Sequence, residues 1–357
     1  MLNNNPNFER VAITLQHKEP DRVPLAEAAV AYQTMSKFLG KKVTADDLSS
    51  QIEFWIKAGY DYIALTAGVL QPGKVTEDSE ISKVIKKSLT GKDEKDQNWN
   101  IEERIFIKNE DDFKLFPWEE IGKIDTNKDF YEVQRQLPSG MKIVALSGKI
   151  FTLSWLLMGY ENFCINLMLK PKFIQQLIER VAELQYGILK EIIKIPDIAA
   201  IWAVDDLAFG TGPMIQPQAF RDYIFPWYKK FSKICHDNNK FFFFHSDGYL
   251  WDLMDDLLDL KIDALHPIDP TCMDIEEVKR KIGDKISLFG NISNELLQNG
   301  TTEEIVKLTK QRLKIIAPGG GYCIGSGNSV PEWAQIENYI AMIETVKKYG
   351  IYPINVK

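Results

Sequence analysis

Eight short apolar runs, most of them followed by a stretch with helical spacing, constrain the fold of this chain more than any other feature. They are Val23-Pro24-Leu25, Tyr62-Ile63-Ala64-Leu65, Ile143-Val144-Ala145-Leu146, Ala199 to Val204, Phe241 to Phe244, Ile262-Asp263-Ala264-Leu265, Ile286-Ser287-Leu288-Phe289 and Tyr322-Cys323-Ile324. Runs this short and this apolar, with helical segments between them, read as the strands of an α/β fold. Between and after them, Lys172 to Lys190, Pro217 to Asn238, Tyr249 to Leu260 and Pro331 to Tyr349 carry the helical pattern, and Thr301 is the expected N-cap of a further helix. The regular alternation predicts an α/β fold, a TIM-type (β/α)8 barrel rather than a doubly wound open sheet. Residues 75–109, charged and alternating, are the exception and predict a β-hairpin inserted between the second and third strands. No repeat, low-complexity tract or long linker divides the chain, so residues 1–357 are expected to form a single barrel domain.

A barrel of this kind keeps its chemistry at the C-terminal ends of its strands. The fifth run ends in Phe244-His245-Ser246-Asp247-Gly248, and strand alternation lets His245 and Asp247 share one face at the mouth. A plainer reading has Ser246 or Asp247 capping the next helix and His245 bonded to a backbone carbonyl. Other strand ends offer Glu27, Thr66, Ser147, the pair Asp205-Asp206, His266, Asp269, Asn291, Ser326 and Asn328. One of two adjacent acids commonly caps a helix while the other meets ligand; Asp205 is assigned to the mouth and Asp206 to structure. Trp155, Trp202, Phe209 and Trp251 lie at the same level and are expected to wall a pocket for a flat or apolar substrate. The run Gly319-Gly320-Gly321 reads as a turn into the last strand, because it lacks the Lys-Ser or Lys-Thr of a P-loop and the spacing of a dinucleotide fingerprint.

The charge balance narrows the partners. With 43 basic against 50 acidic residues and a net charge of -7, the chain offers no basic face for a phosphate backbone, and nucleic acid is not an expected partner. It has no eighteen-residue apolar window and no basic-then-apolar leader, so a cytoplasmic protein without membrane partners is expected. Cys164, Cys235, Cys272 and Cys323 lie far apart and read as separate reduced thiols.

Several segments together resemble the uroporphyrinogen decarboxylase superfamily over nearly the whole chain. They are Glu19-Pro20-Asp21-Arg22-Val23-Pro24, Asp205-Asp206-Leu207-Ala208-Phe209 with Thr211-Gly212-Pro213, Phe244-His245-Ser246-Asp247-Gly248, His266-Pro267-Ile268, Phe289-Gly290-Asn291-Ile292, and Gly325-Ser326-Gly327-Asn328-Ser329 before Glu337-Asn338-Tyr339. The resemblance implies a TIM-type barrel independently of the strand count. Its decarboxylase branch implies arginines for propionate groups and an aspartate for pyrrole N–H groups. This chain reads Leu25-Ala26-Glu27-Ala28-Ala29 and Leu65-Thr66-Ala67-Gly68 at those places, and Asn328 where that branch has a glycine-flanked histidine. Tetrapyrrole decarboxylation is therefore not expected.

The corrinoid-dependent methyltransferase branch implies a zinc site of a His-x-Cys pair with a later cysteine. Here His245 is kept, Asp247 replaces the first thiolate and Asn328 falls at the second, which weakens zinc binding and leaves open whether His245 and Asp247 hold a metal. The resemblance is nearest to the methyltransferase component of O-demethylases. It implies transfer of a methyl group from a methoxylated aromatic compound to the cobalt(I) corrinoid of a partner protein. His245, Asp247 and Asp205 are the expected catalytic residues, with Asn291, Asn328, Trp155, Trp202, Phe209, Trp251 and His266 binding substrate. No D-x-H-x-x-G sequence is present, so the corrinoid is expected on a separate carrier protein. A homodimer is also expected. The alternatives are a decarboxylase or lyase of the uroporphyrinogen decarboxylase type and a non-catalytic binding member.

Overall fold

The computed structural model describes residues 5–68, 105–124 and 127–356. Nine strands are described: β1 Tyr62–Thr66, β2 Lys142–Ser147, β3 Ile198–Val204, β4 Ala208–Phe209, β5 Gly212–Pro213, β6 Phe241–His245, β7 Ala264–His266, β8 Ser287–Phe289 and β9 Tyr322–Cys323. Seven of them form one curled sheet in the order β1-β2-β3-β6-β7-β8-β9, parallel throughout, and β4 pairs with β5 as a small antiparallel hairpin. With helices packed outside the sheet, this is the TIM-type α/β architecture.

The first expected strand contributes a bridge instead of a ladder. Leu25 pairs in parallel with Ile324, where the Ala26 N–H donates to the Ile324 carbonyl at 2.9 Å and the Ile324 N–H to the Pro24 carbonyl at 3.0 Å. Pro24 has no N–H, so regular pairing stops there. Toward β1 the link is a side chain: the Tyr62 hydroxyl donates to the Glu27 carbonyl at 3.0 Å and accepts the Glu27 N–H at 2.9 Å.

Strand alternation divides the core. One face of the sheet turns Tyr62, Val144, Leu146, Trp202, Phe243 and Phe289 into the barrel interior, and the other packs on the helices. The N-terminal helix Glu9–Leu15 and the residue before it add Phe8, Val11 and Leu15 to that interior, with Phe8 against Tyr62 and Phe241 at the strands' N-terminal ends. Each such burial stabilises by roughly 1.5–3 kcal/mol, and together they plug the bottom of the barrel. Asp61, just ahead of β1, fixes the plug: it accepts Arg10 Nη1 at 2.8 Å, Arg22 Nη2 at 3.1 Å and the Asn7 N–H at 2.9 Å. The mouth is left at the opposite, C-terminal end.

The helices follow the sequence with informative exceptions. Pro171–Ile192 and Thr302–Ile316 form as expected, the latter with a Thr301/Glu304 capping box. The segment from Pro217 breaks into Pro217–Ala219, a π turn Phe220–Ile224 and Phe225–Asp237. Pro226 supplies no N–H to the preceding turn, which widens ahead of it. The expected Tyr249 to Leu260 helix begins as a 3₁₀ turn, Trp251–Leu253, and the last helix starts at Ile336 instead of Pro331. Residues 75–104 of the expected hairpin lie outside the described residues; 105–109 run without regular structure into the helix Glu110–Leu115.

Candidate active site

β6 delivers His245 to the mouth on the same strand face as Phe243, because the two differ by one alternation. The imidazole is buried, and its two nitrogens meet different chemistry. Nδ1 lies 2.7 Å from Nδ1 of His266, at the end of β7. Nε2 faces two carboxylates, Asp206 Oδ1 at 3.4 Å and Asp247 Oδ1 at 3.9 Å. Burial alone disfavours a charged imidazole, but Asp206 and Asp247 outweigh it and raise the His245 pKa. Burial and the neighbouring His245 charge hold His266 well below the ordinary histidine value, so His266 is neutral.

The two acids differ. Burial opposes ionisation of Asp206, yet His245, the Asp247 N–H at 3.2 Å and the field of Lys149 hold its carboxyl down to about 2. Burial pushes Asp247 up to about 6; His245 opposes this, and Asp206 and Asp269 reinforce it. Asp247 Oδ2 accepts a short hydrogen bond from Asn328 Nδ2, and Oδ1 is buried without a hydrogen-bond partner. Carboxyls separated in this way divide the labour: Asp206 is a fixed anion and Asp247 exchanges protons near neutrality.

The expected roles of the adjacent acids are reversed. Asp205 is fully buried and accepts the Ile150, Phe151 and Thr152 N–H groups at 3.1, 2.7 and 2.7 Å, together with the Tyr228 hydroxyl. It caps the helix Phe151–Met158, whose own N-cap residue, Ile150, has no capping side chain. Burial pushes Asp205 up to about 6 against these donors. Asp206 is the acid at the mouth.

Two further assignments change, those of Trp202 and His266. Trp202 is fully buried inside the barrel against Phe243, Phe289 and His266, with its ring centroid 5.0 Å from that of His266; it floors the site instead of walling a pocket. Its even spacing from Val204 turns it inward. His266 is also fully buried, with Nδ1 engaged by His245, so it supports His245 instead of meeting substrate. Asn291 donates from Nδ2 to the Ile268 carbonyl at 2.8 Å and keeps a buried, unpartnered Oδ1. Trp155, on the helix Phe151–Met158, packs edge-on against Tyr160, which packs edge-on against half-exposed Phe209. Trp251 lies under the Lys281 ammonium, 4.4 Å from the ring centre.

The loops that carry these groups are tightly specified. Gly248 has φ +88°, and a Cβ there would lie 2.4 Å from the Ala208 carbonyl, so only glycine lets the β4–β5 hairpin approach. Tyr249 then donates its N–H to the Phe209 carbonyl at 2.8 Å. Glu27 accepts the Ser326 N–H and hydroxyl, both at 2.6 Å, two residues before Asn328. Burial pushes this carboxyl up to about 8 against those bonds.

Asp206, His245 and Asp247 each offer one ligand atom, all within 4.8 Å of one another. Two oxygens and one nitrogen suit a divalent cation, and the unpartnered Asp247 Oδ1 is available to it. Sequence reasoning missed Asp206 as the third donor, although the uncapped start of the helix at Phe151 was a signal that Asp205 was needed elsewhere. It also missed Lys149, whose charge acts on both Asp206 and His245. Beside the site, a cavity of about 430 Å³ opens at the ends of β1 and β2 between Ala28, Met35, Trp55, Leu65 and Leu146. In the ring of strands, β1 and β2 stand opposite β7 and β8.

Comparison with known proteins gives a consistent frame. The family model described as uroporphyrinogen decarboxylase (URO-D) matches residues 99–349. A uroporphyrinogen decarboxylase of Coxiella burnetii (strain Dugway 5J108-111) is 25% identical over 152 residues, 40% of this chain and 41% of that protein. A second, from strain RSA 493 / Nine Mile phase I, is 24% identical over 145 residues, 39% of each chain. The match thus spans about two-fifths of the length of these curated relatives. Among solved structures, a methyltransferase from Methanosarcina mazei superimposes with a TM-score of 0.65 at 14% identity, covering 95% of this chain and 98% of that one, which shows a shared fold. Among the described residues, no helix is long and apolar enough to cross a membrane.

Proposed function

Because the chain belongs to the uroporphyrinogen decarboxylase family, we propose that it is a methyltransferase of that fold, moving a methyl group from a methoxylated aromatic compound to the cobalt(I) corrinoid of a partner protein. The observation that carries this reading is His245 Nε2, facing one ionised and one proton-exchanging carboxyl at the mouth.

An aryl oxide is a poor leaving group, and cleavage of an aryl methyl ether is helped by a proton delivered to its oxygen. The hydrogen between the two Nδ1 atoms and the carboxylates at Nε2 favour an N–H on Nε2 facing the mouth. In the proposed step the cobalt(I) electron pair forms the new bond to the methyl carbon, and the carbon–oxygen bond breaks with its pair going to oxygen. The proton passes from His245 Nε2, or from Asp247, to that oxygen, and a phenol leaves. Asn328 holds Asp247 in place. Asp206, His245 and Asp247 also fit a zinc ion, which when bound would polarise the ether oxygen as a Lewis acid. The corrinoid is a second substrate, brought by a carrier protein to the C-terminal face.

Lys149 favours a second reading, a decarboxylase or lyase of a small acid, because a cation beside Asp206 and His245 can hold a carboxylate. One experiment separates them. The protein is mixed with a reduced corrinoid carrier and methoxylated aromatics, and the conversion of cobalt(I) to methyl-cobalt(III) is followed by absorbance, with metal analysis of the same sample. Methylation supports methyl transfer; no methylation across a broad panel contradicts it.

A further inference from the structure

The cavity at the ends of β1 and β2 differs in chemistry from the His245 side of the mouth. Its walls are the apolar and aromatic side chains of Met35, Leu48, Trp55, Leu65 and Leu146, with Tyr32 at the edge. Ala28 and Leu146, which line it, also belong to the apolar cluster inside the barrel, so its inner end borders the barrel interior. The charged residues lining it are Asp46 and Asp129, and neither makes an ion pair among the described residues. No Lys, Arg or His lines it among the described residues. Both carboxylates act on Tyr32: burial first, then Asp129 and Asp46, raise the pKa of its hydroxyl. Their negative field therefore reaches into the aromatic edge of the cavity.

We propose that this cavity holds the body of the methyl donor and selects uncharged or cationic aromatic compounds over those bearing a carboxylate. The inference rests on the methyl-transfer reading only for the word donor; the binding preference stands on the cavity itself. Its volume of about 430 Å³ suits one substituted ring. Tyr32, 40% exposed, presents ring surface to a cation, and Asp46 and Asp129 repel an anion. Lys149, two residues beyond the end of β2, is not among the residues that line the cavity, and its charge acts on Asp206 and His245.

Three probes of one shape test it: 1,2-dimethoxybenzene, 3,4-dimethoxybenzylamine and 3,4-dimethoxybenzoate, each titrated calorimetrically into the protein without corrinoid. The amine is expected to bind at least as tightly as the neutral ether and the benzoate weakest. Asp46→Asn and Asp129→Asn are each expected to weaken the amine relative to the neutral ether by about threefold, the scale of a partly exposed ion pair. Ala64→Leu, which fills the cavity from β1, is expected to weaken all three. Benzoate binding as tight as the amine, an amine preference that survives both Asn substitutions together, or no binding by any probe overturns the proposal. Should the amine bind as expected while no methyl group reaches a reduced corrinoid, the cavity assignment stands and the methyl-transfer reading fails.

Discussion

His245 and His266 meet Nδ1 to Nδ1 at 2.7 Å across the ends of β6 and β7, and this pairing leaves His245 Nε2 to the two carboxylates at the mouth. His266 is fully buried and neutral, so it orients the ring and fixes the hydrogen between the two imidazoles. His266→Phe removes that partner while keeping an apolar ring against Trp202. We predict a fall in kcat of roughly 10- to 100-fold, the scale on which partners that orient metal-ligating histidines act, with a smaller change in KM. Nitrogen-15 NMR of His245 in the variant should show a mixed tautomer; an unchanged tautomer and kcat would remove His266 from the account.

Asp206 sets the pH range. Its carboxylate is the chief group raising the His245 pKa against burial. If protonated His245 is the acid, activity is lost as pH rises through that pKa. Asp206→Asn should move the alkaline limb of the kcat profile to lower pH and lower the midpoint of the His245 ring-proton titration by NMR. A limb that stays in place would assign it to another group.

Glu27 makes a prediction about stability. Its folded pKa is raised from 4.5 to about 8. Below pH 4.5 the folded and unfolded chains both hold the proton, and its contribution is intact. Between the two values the unfolded chain releases the proton and the folded chain retains it, so stability falls as pH rises and the contribution is gone above about pH 8. The loss is on the order of 5 kcal/mol. Gln at this position can accept the Ser326 hydroxyl or N–H at its carbonyl and donate to the Ser326 hydroxyl from its amide. Urea unfolding at pH 5 and pH 9 should therefore show the wild type losing more stability than Glu27→Gln; equal losses would contradict the assignment.

At the closed end of the barrel, Asp61→Ala leaves the Arg10 and Arg22 guanidinium groups without their shared buried carboxylate. Breaking a buried pair from one side costs about 3–5 kcal/mol. Chemical denaturation should show a loss of that size, while Asp46→Asn, at an exposed position, should change stability little.

Much of this was legible in the sequence, for a physical reason. Strands covered on both faces need uninterrupted apolar runs, so Phe241 to Phe244 and Ile143 to Leu146 stood out, and period-two alternation placed His245 and Asp247 together. Pro24 was also visible, but its missing N–H mattered only once the neighbouring strand was known. The adjacent Asp205 and Asp206 could not be told apart locally, because the deciding partner is the N-terminus of the helix Phe151–Met158, about fifty residues away. Trp202 and His266 carried residue types that suit a pocket, whereas burial beneath the mouth depends on how β3 and β7 are set beside β6.

Protonation of the departing oxygen by the His245 group is tested with two donors, compared in the wild type and His245→Ala. One donor, 1,2-dimethoxybenzene, has a poor leaving group; the other, 4-nitroanisole, has one that departs without a proton. Methylation of a reduced corrinoid carrier is timed for each. We predict a loss of roughly a hundredfold or more for the variant with the first donor and a far smaller loss with the second. Equal losses with both donors, or a variant as fast as wild type with the first, would contradict the account.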